Sequence, residues 1–428
     1  MMGAERIRRW GWTLALLTGW LAACAPASGA VLRVAAGESI AAAIRAARPG
    51  DTIEVAGGKY TERLLIDKPL QLQGIGRPSI SGADRGDVIR VRSAGVAIRG
   101  FVIRDSGSDL GAQNAGIYVE PGSDRFTLQD CTLTEVLFGI WLESSADAKI
   151  ERNRITGKHR LQSAARGNGV QVFQTRNAQL IDNEISHTRD GFYVDVSQNA
   201  VFRGNKMHHL RYGTHYMNTH RSVWENNQTW LNRGGLALMM VRDVVVRNNL
   251  AWGNADHGIM LRTIQDSVIE NNTVAGNGRG FFVYDAEYNT IQGNLVVDNQ
   301  TGLHLAAGSR HNQVDGNDFI ANREQVKYVA SADVLWGTQQ GNYWSNYSGW
   351  DQNGDGVGDL PYEANDVVDR LTWEYPLVKL LLSSPAVQTL RFVARQFPLL
   401  RAPSVVDQHP RMRPEHQNWR QWLGKQRN

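Results

Sequence analysis

The sequence is poor in cysteine and proline and carries no large excess of charge of either sign. Its 428 residues include 2 cysteines, 12 prolines and no CxxC pair, and the formal net charge is +4. A charge so close to balance argues against a nucleic-acid-binding protein, which needs a basic patch. Neither a P-loop nor a dinucleotide-binding glycine motif is present. What the chain does have is 43 glycines and many asparagines, a composition that favours tight turns over long helices.

The N-terminal segment, residues 1–30, has the pattern of an export signal. Three arginines among residues 6–9 precede an apolar stretch that is too short to span a bilayer comfortably. A small-residue cleavage site follows at Ser28–Ala30, so we expect residues 1–30 to be removed on export. An alternative stays open, because Leu21–Cys24 also fits a lipoprotein cleavage site with a lipid on the cysteine. Cys131 is then the only other cysteine, which excludes an internal disulfide.

Two repeating series predict the fold. A Gly-apolar-x-apolar motif recurs from Gly116 to Gly302 with a period of about 22 residues and one longer interval. A second series runs in phase with it and consists of Asn153, Asn183, Asn205, Asn227, Asn249, Asn272, Asn294 and Asn317. An eight-residue insertion within residues 158–168 explains the long interval in both series. Such a period with alternating apolar residues predicts a right-handed parallel β-helix, an all-β solenoid whose turns stack about 4.8 Å apart.

The repeats also divide the chain. We predict the β-helix over residues 31–362, with the in-phase asparagines stacked as a ladder in one turn. Residues 38–50 have the composition of a short amphipathic helix, which we expect to cap the N-terminal end of the solenoid. Residues 363–428 fall outside the period and form an irregular or helical tail. Its apolar stretch at residues 375–400 is interrupted by Pro385, so we expect it to lie on a membrane or on a membrane partner and not to span the bilayer.

The repeat predicts which side chains face outward. In each Gly-apolar-x-apolar-x strand, the second and fourth residues point inward, so the third and fifth point to solvent. The third positions of six successive turns are Tyr193, His215, Ala237, Met260, Phe282 and His304. The fifth positions of five turns are Asp195, Met217, Met239, Arg262 and Tyr284.

A soft ligand set falls on this outer face. His215, Met217, Met239 and Met260 lie on neighbouring turns, and thioether sulfur with imidazole suits Cu(I) better than Zn²⁺ or Ca²⁺. We therefore predict a transient Cu(I) site formed by these four residues, with His208, His209 and His220 as the next candidates. Two alternatives stay open: a hydrophobic patch that docks a partner, and a shifted register that buries the methionines.

A second candidate metal site lies near the end of the repeats. Asp351, Asn353, Asp355 and Asp359 place oxygen side chains around a glycine turn, as in the first part of a calcium-binding loop. The glutamate expected at the twelfth position is missing, because Tyr362 stands there. The loop is therefore an incomplete calcium site, and an acidic turn that ties the loop to the last turns of the solenoid is the alternative.

The solenoid, the export signal and the segment GNYWSNYSGWDQNGDGVGDLPY at residues 341–362 together resemble the NosD family. The resemblance covers nearly the whole mature chain, and residues 341–362 are its most specific part. It implies a periplasmic protein that associates with an ABC permease and a cytoplasmic ATPase. It further implies that this complex supports assembly of the copper–sulfur cluster of nitrous-oxide reductase, with copper handed over by a lipoprotein chaperone. The permease would then be the partner of the tail, whereas the copper ligands rest on register alone.

Two functions of other classes stay open. Parallel β-helices often cleave or epimerise polysaccharides, and Asp195, Arg262, Tyr284 and His304 could supply the groups for a uronate lyase or epimerase. No paired carboxylates recur on neighbouring turns, however, and fold alone says little about function. The other possibility is a docking scaffold whose contact residues are Trp224, Trp230 and Trp252. We expect a non-enzymatic maturation factor.

Overall fold

A computed structural model describes residues 29–329, 333–365, 371, 375–381, 384–396 and 405–424. The predicted export signal lies outside the described residues apart from its last two, Gly29 and Ala30. Within the described part the chain winds into the predicted parallel β-solenoid, whose three parallel sheets contain 14, 12 and 13 strands. Each strand pairs with the equivalent strand of the turn before and the turn after, so consecutive turns lie directly on one another.

A typical turn of the solenoid contributes a strand first to sheet one, next to sheet three and last to sheet two. Sheet one contains Val31–Val34, Thr52–Ala56, Gln71–Ile75, Ala97–Arg99, Thr127–Gln129, Lys149–Glu151, Gln179–Ile181, Val201–Arg203, Val223–Glu225, Val245–Arg247, Val268–Glu270, Thr290–Gln292, Gln313–Asp315 and Leu335–Trp336. Sheet two contains Leu64–Ile66, Ile89–Val91, Ala115–Val119, Phe138–Glu143, Val170–Phe173, Asp190–Asp195, Tyr212–Met217, Gly234–Arg242, His257–Gln265, Arg279–Tyr284, Thr301–Ala306 and Glu324–Val329. Sheet three contains Lys59–Thr61, Ser79–Ser81, Val102–Arg104, Thr132–Val136, Arg154–Gly157, Glu184–Ser186, Lys206–His208, Gln228–Trp230, Leu250–Trp252, Thr273–Ala275, Leu295–Val297, Asp318–Ile320 and Tyr343–Trp344.

The interior is a continuous column of apolar side chains, flanked by lines of buried asparagines. In the first line, Asn153 Nδ2 donates to Asn183 Oδ1 at 3.0 Å, and the same bond repeats from turn to turn as far as Asn317 and Asn342. A second line, absent from the sequence analysis, consists of Asn232, Asn254, Asn277, Asn299 and Asn322. The amides also bond to backbone groups, so buried polar atoms are paired and the turns are tied together.

A short helix, α1 (Ile40–Ala46), lies at the N-terminal end of the solenoid and buries Ile40 and Ile44 in the core. Two side chains from a neighbouring turn hold its ends. Glu62 accepts hydrogen bonds from the Ile40 and Ala41 amides and from the Ser39 hydroxyl at the helix N-terminus. The ammonium group of Lys68 donates to the last carbonyl groups of the helix.

At the other end the chain turns back on the solenoid. The strand Tyr362–Ala364 pairs antiparallel with Val405–Asp407, and residues 405–424, which we call the return segment, continue along sheet three. Asp407 is fully buried and accepts hydrogen bonds from the last asparagine of the first line, Asn342, and from the indole of Trp344. The predicted tail therefore does not lie wholly outside the solenoid: its return segment packs on the last turns and buries Val405 in the core, whereas the stretch between these two strands is a different part of the tail.

That stretch contains a 3-10 helix (Pro376–Leu381) and helix α2 (Pro385–Gln396). Among the described residues, two shorter 3-10 helices lie elsewhere, at Ser163–Ala165 within the predicted insertion and at Trp419–Trp422 in the return segment. In the part of the chain that the structure describes, no helix is both long enough and apolar enough to cross a membrane.

Candidate functional site

The outward columns of sheet two have the predicted register. Met217 pairs directly with Met239, and the next residue in that column is Arg262. In the neighbouring column His215 pairs with Ala237, and Ala237 pairs with Met260. Adjacent strands of a sheet lie about 4.8 Å apart, so the two methionines of the first column are side by side.

The alternative register, which would bury the methionines, is absent. Tyr216, Leu238 and Leu261 are fully buried, whereas the predicted copper ligands next to them in each strand are half-buried and face outward. The half-buried set consists of His215, Met217, Met239 and Met260, which we call the Met/His face. Sheet two therefore presents sulfur and imidazole groups on its outer surface, accessible to another protein.

The four residues of the Met/His face do not form a closed cage. Ala237 separates His215 from Met260, so these two lie two strand spacings apart, about 10 Å. Within the described residues, no group of three or more His, Cys, Asp or Glu side chains is arranged to hold a metal ion. The pair Met217 and Met239, with His215 two residues along the strand, is the most compact part of the set.

The imidazole of His215 is held by a buried carboxylate. Its Nδ1 atom lies 3.4 Å from Oδ2 of Asp190, which is fully buried, and 3.2 Å from a guanidinium nitrogen of Arg211. Burial alone would raise the pKa of Asp190, but hydrogen bonds from His215 and Arg211 lower the pKa below its usual value. These contacts fix the ring through Nδ1, which leaves Nε2 as the nitrogen that can meet a ligand.

On sheet three, the predicted candidates His208 and His209 form a cluster of imidazoles together with His187. The Nδ1 atoms of His208 and His209 are 2.7 Å apart, and the rings of His187 and His209 stack with centroids 5.3 Å apart. His208 also stacks on Trp230 at 4.5 Å, and its Nε2 atom lies 3.5 Å from Glu184. Burial lowers the pKa of His208, and the neighbouring imidazoles lower it further, although the contact with Glu184 opposes the shift.

His220 lies in the turn that follows the strand Tyr212–Met217. It lines an open cavity of about 500 Å³ together with Arg221, Met240 and Arg242. Its Nδ1 atom is buried and has no hydrogen-bond partner among the described residues. Copper binding by His220 stays a prediction.

The Asp351–Asp359 loop is closed by its own backbone. The Asp351 carboxylate accepts the amides of Gly354 and Gly356, at 2.7 and 2.9 Å, and Asp359 accepts the amide of Gln352 at 2.7 Å. The Asn353 side chain accepts the Asp355 amide at 3.0 Å. The loop is also bonded to the return segment, since Gly358 donates to the Pro410 carbonyl and Met412 donates to the Gly356 carbonyl. Calcium binding at these four residues stays a prediction.

The residues suited to polysaccharide chemistry are spread along sheet two. Asp195 and Arg262 share a column, but Met217 and Met239 lie between them. The Arg262 guanidinium lies 5.8 Å from the ring centre of Tyr284. Burial, with nearby Lys327 and Arg279, lowers the pKa of His304 to about 4.

The three tryptophans of the predicted docking scaffold have different positions. Trp224 is fully buried inside the solenoid, so it is not a contact residue. Trp230 and Trp252 stack on each other on the outer face of sheet three, with ring centroids 4.8 Å apart. Trp422 of the return segment contacts Trp252 in a tilted arrangement, with ring centroids 6.4 Å apart, so part of this surface is covered by the chain itself.

Solved structures share the fold without sharing the sequence. A family 28 exopolygalacturonase from Yersinia enterocolitica superposes with a TM-score of 0.52 and 11% identity, over 74% of this chain and 79% of that one. The surface adhesin PfbA of Streptococcus pneumoniae superposes with a TM-score of 0.50 and 10% identity, over 68% of this chain and 94% of that one. At such low identity these likenesses concern the architecture alone.

Sequence relatives are much closer. The family model described as "Periplasmic copper-binding protein (NosD)" matches residues 154–349. A protein of Pseudomonas aeruginosa named "Probable ABC transporter binding protein NosD" is 42% identical over 84% of this chain and 87% of its own length. The protein of the same name from Stutzerimonas stutzeri is 38% identical over 83% of this chain and 85% of its own length. The chain therefore belongs to the NosD family.

Proposed function

We propose that this protein is a periplasmic copper-handling factor that works with an ABC permease and its ATPase. In this role it receives Cu(I) from a lipoprotein chaperone and supports assembly of the copper–sulfur cluster of nitrous-oxide reductase. It binds the metal as cargo and catalyses no reaction. The family's description as periplasmic copper-binding and the relatives' name as ABC transporter binding proteins both support this role.

One observation carries the proposal: Met217 and Met239 are direct neighbours in register on an outer sheet face, with His215 beside them. Thioether ligands are uncharged and need no deprotonation, so they can take up and release Cu(I) without a coupled proton. His215 supplies Nε2, and Met260 lies one turn beyond Met239 in the other column. An open face of this kind favours relay over storage, because a donor and an acceptor can reach the ion in turn.

The stretch between the two terminal strands supports docking on the permease. Leu377 and Leu380 have 79% and 81% of their surface exposed, and Phe392 of α2 is 64% exposed. Large apolar side chains exposed on short helices are typical of a surface that a partner covers. We propose that this segment holds the protein on the permease and so associates it with the membrane.

The copper proposal is tested by replacing Met217 and Met239 with leucine. The double variant keeps most of the apolar volume but loses both sulfurs, so we expect it to fold normally and to retain its partners. Cu(I) affinity, measured by competition with a chromophoric chelator under reducing conditions, should fall by at least tenfold. Nitrous-oxide reductase produced beside the variant should lack its copper–sulfur cluster.

Met240→Leu is the matched control, since Met240 is the next residue of the same strand but is exposed and left out of the pairing with the neighbouring strand. It should bind Cu(I) like the unmodified protein. If the double variant matures the reductase as well as the unmodified protein does, the Met/His face is a docking surface and not a relay.

We also propose that Ca²⁺ binds the loop of Asp351, Asn353, Asp355 and Asp359 as a structural ion. The carboxylates already organise the loop around backbone amides, and the loop holds the return segment. Adding Ca²⁺ to chelator-treated protein should raise its melting temperature, and Asp355→Ala should remove the effect. An unchanged melting temperature would leave the loop as an acidic turn.

A further inference from the structure

The side chains of His208 and His209 point at each other on the outer surface of sheet three. His208 is the last residue of the strand Lys206–His208, and His209 begins the turn that leads to sheet two. His209 has a positive φ of 58°, a left-handed conformation that histidine tolerates better than most residues. This conformation turns its imidazole back toward the preceding residue, so two consecutive side chains converge.

The convergence brings together the two Nδ1 atoms, which lie 2.7 Å apart with the rings nearly perpendicular, at 81°. Two neutral imidazoles can approach so closely only if one Nδ1 carries a proton and the other accepts it. The ring of His208 is fixed by its stack on Trp230, whereas the exposed ring of His209 stacks on His187, so an outward rotation of His209 costs that stack.

We propose that His208 and His209 form a second Cu(I) site, in which the ion replaces the shared proton between the two Nδ1 atoms. Cu(I) accepts two nearly opposite nitrogen ligands, and a modest outward rotation of His209 opens the space that it needs. A structural Zn²⁺ ion would require four ligands, and among the described residues no group of three or more His, Cys, Asp or Glu side chains is arranged to hold a metal ion. This proposal rests on the proposed function, because it takes Cu(I) as the cargo. The site uses none of the ligands of the Met/His face.

The proposed site must account for the proton that the two Nδ1 atoms share before Cu(I) binds. Before binding, one imidazole holds its proton on Nδ1; in the loaded site both rings must hold theirs on Nε2. For His208 that atom lies 3.5 Å from Oε1 of Glu184, so the carboxylate favours the Nε2 proton on this ring, and the proton that relocates is that of His209. The proton therefore moves from one nitrogen of a ring to the other, and none is released. Glu184 is a positioning residue, comparable to the carboxylates that orient metal-bound histidines.

The test counts Cu(I) ions on the full-length mature protein by competition with a chromophoric chelator in a reducing atmosphere. The unmodified protein should bind two ions. His209→Ala should bind one, Met217→Leu with Met239→Leu should bind one, and the combined variant should bind none. If His209→Ala binds as many ions as the unmodified protein, the pair is only a hydrogen bond and the inference fails. If only the methionine variant loses a bound Cu(I) ion, the result contradicts the site at His208 and His209 and still supports the Met/His face as a copper site.

Two further measurements separate ligation from folding. His159→Ala removes an exposed histidine on the same side, close to His187, and serves as the control; it should keep both ions. Glu184→Gln should weaken the second site by about tenfold while leaving the first unchanged, as expected for a group that orients a ligand. Long-range nitrogen–proton NMR should show the His208 proton on Nε2 in the loaded protein; a proton still on Nδ1 would exclude ligation through that atom.

Discussion

The two ends of the solenoid are closed in different ways. At the N-terminal end, helix α1 covers the first turns and is held by Glu62 and Lys68, which follow it closely in the chain. At the C-terminal end, the chain leaves the solenoid, forms the apolar stretch, and returns. Its return segment places Asp407 under the last asparagine, Asn342, 65 residues earlier in sequence. One closure is local, and the other depends on contacts between distant parts of the chain.

The difference matters because the hydrogen-bonding groups of the first and last turns have no further turn to pair with, so each end must supply other partners for them. The asparagine line runs with its amide donors directed toward the C-terminal end, and the final donors need an acceptor. A buried carboxylate is this acceptor, because Asp407 Oδ2 accepts hydrogen bonds from the backbone and side-chain nitrogens of Asn342. At the N-terminal end the problem is smaller, because Glu62 satisfies the free amides of a single helical turn.

The largest effect is therefore expected from Asp407→Ala. The substitution leaves the Asn342 backbone amide, one Asn342 side-chain N–H and the Trp344 indole without an acceptor in a buried site, although the Asn342 side chain keeps its bond to the Val314 carbonyl. We expect it to lower the free energy of unfolding by about 4 kcal/mol, since each buried donor left unpaired costs about 1–3 kcal/mol. Urea denaturation measures the loss, and hydrogen exchange should locate it in the last turns.

Asp407→Asn is the control, because an amide oxygen can still accept a hydrogen bond at that position. It should lose clearly less stability than the alanine variant. If both variants match the unmodified protein, the return segment is not needed to close the stack, and the two ends do not differ in this way.

The next largest effect is expected from Arg411→Ala, which breaks the second anchor of the return segment. Arg411 donates to Asp318, which is fully buried, at 2.8 Å and to the Gly341 carbonyl at 3.0 Å. His416 still contacts the carboxylate at 2.7 Å, so part of the charge stays paired. We expect a loss of about 3 kcal/mol, at the lower limit for a broken buried ion pair.

The Asp318→Asn, Arg411→Ala double variant provides the check on Arg411. Because the amide removes the buried charge, the double variant should recover part of the stability that Arg411→Ala loses. Thermal unfolding followed by circular dichroism compares the three proteins. Equal melting temperatures for the single and double variants would mean that the buried charge is not the cause.

A comparison of the two ends also shows which features of the fold can be predicted from the sequence. The solenoid, the outward columns and the first asparagine line follow from the repeat period, because equivalent positions in stacked turns must be neighbours. Helix α1 follows from a local amphipathic pattern. The role of Asp407 has no such signal, since a single aspartate outside the repeats is not periodic with anything. Only the folded structure shows that Asp407 continues the first asparagine line.

The same distinction applies to the candidate sites. The neighbouring positions of Met217 and Met239 are predictable, because they are one repeat apart in sequence. The contact between His208 and His209 is not predictable from the repeat spacing, because adjacent residues in a strand face opposite sides. It arises where the strand ends and a left-handed residue follows. A scan for histidine at the turn position after each strand of sheet three would have found it.

The smallest effect at the ends is expected from Glu62→Ala. Its carboxylate accepts the amides of Ile40 and Ala41 at 2.8 and 3.1 Å and the Ser39 hydroxyl at 2.8 Å, on a surface that water can reach. Water can therefore replace much of what is lost, and the cost should be about 1 kcal/mol, as for other helix N-caps. Exchange of the α1 amides should speed up while the C-terminal turns stay protected. A loss as large as that of Asp407→Ala would mean that the N-terminal helix is as essential to the stack as the return segment, and that the two closures are equivalent after all.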